Sequence, residues 1–400
     1  MTTPRLPFGP EPAGPGARGP ALRKEIAPLL AGYWAFGQYW GIWAILVFEF
    51  LNHHRISESG IGVDYTILAI TSVLVMVLLA PRLRPYSLAT TVSVSLLTLG
   101  AGAALQALLS GDLVIAAFVV IGIGNGLIDV FLNVAAQRIE VRTRRPVLQW
   151  MHACYALGGV TGGITAGLIL AAGLDFRVGL AWAATASLAT GLWNSRTASK
   201  ERDVGRPGTL LSVSALRRAP VLIVPAFVVL SAFLVEGSMD TWSGLYLREE
   251  LGASAFGAGV AFSAFAGAAF LGRLFASRTL FGLGYRRTIL VAGVGSATGG
   301  VIAASTHSPV VAGLAFLLLG FSLASAAPAA FGLIEGSGED PTNAIAAVTT
   351  VGYSGFIWSP PLLGWVAEAF SLRATMFVVV LATLGVLAGG LAAKNPEPRE

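Results

Sequence analysis

Four polar residues recur at every fourth position of GNGLIDVFLNVAAQ (124–137): Asn125, Asp129, Asn133 and Gln137. In a helix that spacing makes one slowly drifting stripe on a single face. The run before it, LVIAAFVVIGI, is entirely apolar or Gly. A charge at depth in such a setting costs at least ~2.5–3.5 kcal/mol, so the carboxylate must face a cavity or take up a proton. Amides by themselves can hold a bundle together by hydrogen bonds between helices, and that purpose needs no acid. Asp129 is therefore the first candidate for moving a proton, with Asn125 and Asn133 as candidate contacts for a bound molecule.

Other residues share this character. Gln149, His152 and Tyr155 follow at spacings of three, on one side of the next apolar stretch. His152 titrates near neutral pH if wet and is a second proton candidate. Glu236 and Asp240 lie one turn apart in FLVEGSMDTWSGLYL, where two ionised carboxylates repel, so either one holds a proton or one reaches water. Glu236, the deeper of the two, is the third proton candidate; Asp240 and Trp242 are expected near the membrane boundary, which Trp favours. GYWAFGQYWGIWAILVF places Gln38 among Tyr33, Trp34, Tyr39, Trp40 and Trp43, and TTVGYSGFIWSPPLLG offers Tyr353 and Trp358. Rings flanking an amide suit a cavity that binds one face of a sugar or flat metabolite. Gln38, Gln149, Tyr155, Tyr353, Trp43 and Trp358 join the candidate contacts on that ground.

Other chemistries are not supported. The single cysteine, Cys154, excludes an intramolecular disulfide or a Cys-based metal cluster. The four histidines are scattered and no HExxH-like run occurs, so no metal, cofactor or enzyme activity is expected.

The elements that must position these residues are membrane helices. The 400 residues are 55% apolar and 12% charged, with 49 Gly and a mean hydropathy of +0.73; soluble domains carry about 25% charged residues. A span needs about 20 mostly apolar residues. Such stretches cover 29–48, 61–80, 86–109, 113–137, 147–171, 178–195, 220–246, 255–276, 287–305, 309–334, 343–368 and 373–393. Residues 1–24, rich in Pro and Gly, read as a disordered tail and not a signal peptide. With the N-terminus in the cytoplasm, only Arg55, Arg177, Arg248 and Arg373 of the 26 Lys and Arg fall on the outer side, a strong positive-inside asymmetry. That assignment sends every other base, Arg273 included, to cytoplasmic segments and leaves none for a helix centre. The net charge of +5 is a topology signal and not a nucleic-acid patch.

The longest polar interruption divides the chain into a six-helix half at 25–195, a cytoplasmic linker at 196–219, a six-helix half at 220–393 and a cytoplasmic tail at 394–400. Residues 124–133 can be laid over 320–329, and 152–155 over 350–353. A weak internal repeat of this kind, around a midplane site, is the plan of many secondary transporters. The expected fold class is an all-α membrane protein of twelve transmembrane helices in two pseudo-symmetric halves.

These residues carry a resemblance. GRLFASRTLFGLGYRR is similar to the cytoplasmic signature of the major facilitator superfamily through Gly272, Arg278, Gly284, Arg286 and Arg287; Ser277 stands where that signature has Asp. Gly126, Asp129 and Asn133, with His152, Tyr155 and Gly158, resemble the fucose permease-like branch of bacterial permeases, whose acid on the fourth helix is read as the proton carrier. Gln38 departs from it, standing where fucose permeases place a second acid. The resemblance implies a major facilitator fold and a monomeric, multi-pass permease of the bacterial inner membrane with both termini cytoplasmic. Such a permease moves a small polar solute, sugar-like or another metabolite, by alternating access, proton-coupled through Asp129. Its partners would be the small-molecule substrate, protons and the lipid bilayer, with no nucleic acid. The alternative is a proton-antiporting exporter of a drug or secondary metabolite.

Overall fold

Most of the turns end in a side chain that starts the next helix. Ser57, Ser87, Ser254, Ser308 and Ser371 each accept a hydrogen bond from the backbone N–H three residues on, and Asp340 does the same for Asn343. Such caps satisfy helix-start donors that have no intrahelical partner. They allow the short connections read from the sequence.

The computed structural model describes residues 20–143, 145, 147–197 and 214–394. Among them are twelve long helices. The first half holds α1 (Pro20–His54), α2 (Glu58–Leu83, with a π turn at Val75–Leu79), α3 (Leu88–Leu108), α4 (Val114–Thr143), α5 (Val147–Ala171) and α6 (Phe176–Thr197). The second holds α7 (Pro220–Glu250), α8 (255–283), α9 (285–305), α10 (Pro309–Glu335, loosened at 324–325), α11 (Pro341–Ala369) and α12 (Leu372–Ala392). Each apolar stretch read from the sequence falls on one of them. Gly284, at φ 73°, breaks the run between α8 and α9, a left-handed conformation that Gly adopts without a Cβ penalty. The 1–24 tail lies outside the described residues up to residue 19, as do most of the linker and the end of the 394–400 tail.

By length and composition, nine of the described helices can cross a membrane. The remaining three, α1, α6 and α11, are also long enough to span but less apolar. α1 turns most of its polar and aromatic residues to the interior of the bundle, and α11 turns Tyr353 and Phe356 there.

Within a half, helices approach to backbone contact at glycines. A Cβ on Gly158 of α5 would lie 2.2 Å from the Trp34 carbonyl oxygen of α1. The halves meet along three seams: α1 with α7, α2 with α11, and α5 with α8. Their tightest contacts lie toward the end of the bundle opposite the chain termini. Glu49 of α1 pairs with Arg248 of α7, whose guanidinium also stacks over Phe48 at 4.6 Å. The Ser59 N–H donates to Glu368 at 3.2 Å, and the Ser263 hydroxyl donates to the Val160 carbonyl at 2.8 Å. Glu49 thus bridges the halves at that end. Trp242, expected at the membrane boundary, is fully buried in the core.

The GRLFASRTLFGLGYRR segment forms the end of α8 and the start of α9, at the same end as the termini. Gly272 lets α8 lie against the Phe321 carbonyl of α10, where a Cβ would sit 2.3 Å from the oxygen. Arg286 is half-buried and Arg287 exposed. The Arg278 side chain lies outside the described residues. Nearby, Arg218 makes two 2.8 Å hydrogen bonds to Glu339, and the guanidinium holds that carboxyl below its usual range.

Candidate functional site

Between the halves lies a cavity of about 690 Å³ with walls from α1, α2, α4, α5, α7, α8, α10 and α11. It is mostly apolar and aromatic with a few converging polar groups, as small-molecule sites are. Gln149 and His152 are exposed at its edge toward the terminus-bearing end. The seams at the opposite end close it there.

Asp129 lines the cavity from α4. Asn125, one turn earlier, donates through Nδ2 to Asp129 Oδ2 at 3.4 Å. Asn133, one turn later, donates to the Asp129 carbonyl at 2.7 Å and accepts a 2.8 Å hydrogen bond from the Tyr33 hydroxyl of α1. Three members of the stripe are thus connected, Asn125 to the Asp129 carboxylate and Asn133 to the Asp129 backbone, and all three line the cavity, while Gln137 is exposed outside it. The Tyr33 ring meets His152 edge-on at 5.6 Å. Gln149, His152 and Tyr155 all line the cavity from α5, and Tyr353 lines it from α11, packed on Phe233 of α7 at 5.8 Å.

Glu236 and Asp240 both face this cavity from α7. Asp240 was expected at the boundary and is instead at the site. Glu236 is not a lone acid, since Arg273 of α8 donates to its Oε1 at 2.7 Å. Arg273 also lines the cavity, contrary to its assignment to a cytoplasmic loop. Sequence reasoning missed it because its partner lies 37 positions earlier, on another helix. The available signal was its setting in AAFLGRLFA, an apolar run inside the expected span.

Three expected contacts lie elsewhere. On α1 the cavity face is Tyr33, Phe36 and Trp40. Gln38 is only 2% exposed and packs toward α5, where a Cβ on Gly162 would sit 2.8 Å from its Oε1. Trp43 is fully buried and donates to the Tyr65 hydroxyl at 2.8 Å; Tyr65, not Trp43, lines the cavity. On α11 the cavity face runs through Tyr353, Phe356, Ile357 and Pro360, while Trp358 is 64% exposed on the outer surface of the bundle.

The ion pair has a measurable consequence. Arg273→Ala leaves Glu236 one turn from Asp240 with no counterion. Breaking a dry pair costs about 3–5 kcal/mol; this one keeps some exposure, so the expected loss is nearer ~1–3 kcal/mol. Thermal unfolding in detergent at pH 8 should show it, and adding Glu236→Gln should restore much of it. An unchanged unfolding temperature for Arg273→Ala would mean that the pair carries no weight.

Two six-helix halves around one central cavity with a few converging polar groups define a membrane transport protein. The family model of the Major Facilitator Superfamily matches residues 29–360, and the chain belongs to that superfamily. An uncharacterised MFS-type transporter of Yersinia pestis is 29% identical over 377 residues, covering 93% of this chain and 96% of the relative. The membrane protein MosC of Rhizobium meliloti is 26% identical over 411 residues, covering 98% and 96%. Among solved structures, a point mutant of the nucleoside transporter NupG aligns with a TM-score of 0.74 at 14% identity, covering 92% of this chain and 99% of that one. A D-xylose–proton symporter aligns with a TM-score of 0.65 at 16% identity, covering 90% and 96%.

Proposed function

We propose that this superfamily member is a secondary active transporter that carries a small polar solute across the bacterial inner membrane, as a monomer with both termini cytoplasmic. Segments 25–195 and 220–393 would act as the two moving halves. They would rock about the central cavity, and Asp129 would take up and release the coupling proton. The observation that carries this reading is Asp129 at the cavity wall, with the Asn125 amide bonded to its carboxylate. Asn125, Asn133, Gln149, Tyr155 and Tyr353 would contact the solute. The Gly272–Arg287 segment, joining α8 to α9, would act in gating. The resemblance to fucose permease-like proteins and the likeness to a D-xylose–proton symporter support a hydroxylated solute. Support for the alternative, a proton-antiporting exporter, comes from the cavity's aromatic lining, with Tyr33, Phe36 and Trp40 facing Phe233, Tyr353 and Phe356.

The test uses proteoliposomes holding a pH-sensitive dye, screened against sugars, polyols, amino acids and drugs. Each added proton gradient of one pH unit is worth 1.36 kcal/mol, enough to drive roughly tenfold accumulation per proton. A symporter carries solute and protons in the same direction, and an exporter carries them in opposite directions. Solute flux with no accompanying proton flux would overturn the coupled reading.

A further inference from the structure

Counted by charge, the cavity is unbalanced. Its walls carry Asp129 on α4, His152 on α5, Glu236 and Asp240 on α7, and Arg273 on α8; α1, α2, α10 and α11 contribute no charged residue to it. One acid is neutralised, by the 2.7 Å pair between Glu236 and Arg273. Asp129 and Asp240 remain, one from each half, and neither has a basic partner of its own.

Two further observations say what would balance them. Tyr33, Tyr155 and Tyr353 line the same cavity as the two carboxylates, and Tyr33 is tied through Asn133 to the Asp129 backbone. Tyrosine rings around a carboxylate form the environment that holds an organic ammonium, the rings' negative faces adding to the ionic attraction. No group of three acids or histidines among the described residues is close enough to bind a metal ion. An anionic solute fares badly here. The one guanidinium in the cavity walls is already paired with Glu236, and two further carboxylates face the same space.

We propose that the transported solute carries a protonated amine, seated between Asp129 and Asp240 and against the rings of Tyr155 and Tyr353. The amides Asn125, Asn133 and Gln149 would bind hydroxyl groups on its body. The proposal rests on the reading of this cavity as the transport site.

The experiment uses the purified full chain at pH 8 and two triads of probes that share a skeleton: glucamine, glucitol and gluconate; tyramine, tyrosol and 4-hydroxyphenylacetate. The amine of at least one triad should raise the unfolding temperature while its neutral and acidic partners do not. Asp240→Asn should weaken that amine's apparent affinity roughly ten- to hundredfold, the usual worth of a charge-assisted contact, and Asp240→Glu should retain most of it. The unfolding temperature of each variant without probe reports whether it has folded. Equal stabilisation by a neutral or acidic partner, no stabilisation by either amine, or an Asp240→Asn variant that folds and binds as well as the parent each overturns the proposal. A neutral solute accumulated by a pH gradient, with amines inert, would do so while leaving the transport reading intact.

Discussion

Asp129→Asn is expected to abolish pH-driven accumulation of solute in proteoliposomes while leaving exchange of labelled for unlabelled solute in place at saturating solute, because Asp240 still faces the cavity and the lost charge weakens affinity without blocking the site. Asparagine has almost the shape of aspartate and keeps an oxygen that can accept from Asn125, and the Asn133 hydrogen bond goes to the backbone carbonyl of residue 129. The stripe on α4 therefore survives the substitution, and so does the Tyr33–Asn133 hydrogen bond that ties it to α1. What is lost is the ability to change protonation state. A one-unit gradient that gives the parent roughly tenfold accumulation per proton should then give none. Exchange needs only that the loaded site alternate, with no net proton movement. If accumulation and exchange fall together, Asp129 serves binding or structure and not coupling; if both persist, the proton is carried elsewhere, with Asp240 the next residue to test.

The sequence revealed the scaffold more fully than the site. Lipid demands long apolar stretches, so each helix announces itself locally, and Ser, Asp, Gly and Pro at the turns mark where one stops. The Asp129 stripe was legible for the same reason: its members sit on one helix, and periodicity puts Asn125, Asp129 and Asn133 on the cavity face, while Gln137 is exposed beyond it. Facing directions on α1 and α11 were not legible. Both helices carry aromatic and polar residues on several sides, and nothing within a single helix says which side meets the cavity. Gln38 and Trp43 were therefore assigned to the cavity when Tyr33, Phe36 and Trp40 line it, and Trp358 was assigned there though it points outward. Arg273 escaped for a different reason. A base near a helix end counts naturally toward topology, and only the fold reveals that an acid from another helix meets it inside the protein. Asp240 was misjudged through its neighbour Trp242, whose indole is buried in the core and not at a membrane surface.

Gly244→Val is the variant that should separate the fold from its motion. Gly244 lies on α7 where it crosses α1 of the other half, and a Cβ there would sit 1.7 Å from the Ala44 carbonyl oxygen. Backbone cannot yield to that, so α1 and α7 must part. The same is true within a half: a Cβ on Gly37 of α1 would lie 1.9 Å from the Tyr155 carbonyl of α5. The consequences should differ. Gly37→Val damages the inside of one half and should lower stability, since overpacking costs about 1–3 kcal/mol. Gly244→Val penalises only the arrangement in which the halves are closed at the end opposite the termini. An equal penalty there becomes a population shift of roughly five- to hundredfold toward the arrangement open at that end, with each half intact. A cysteine at Ala69, which lines the cavity from α2, reports the shift in a Cys154→Ser background. On the proposed topology, an impermeant maleimide added outside should label it about tenfold faster or more in Gly244→Val than in the parent. Transport should fall, because the closed state it must pass through has become costly. Unchanged labelling in a folded Gly244→Val protein would mean that the α1–α7 seam does not open as the halves alternate. The glycine would then be a packing feature like Gly37.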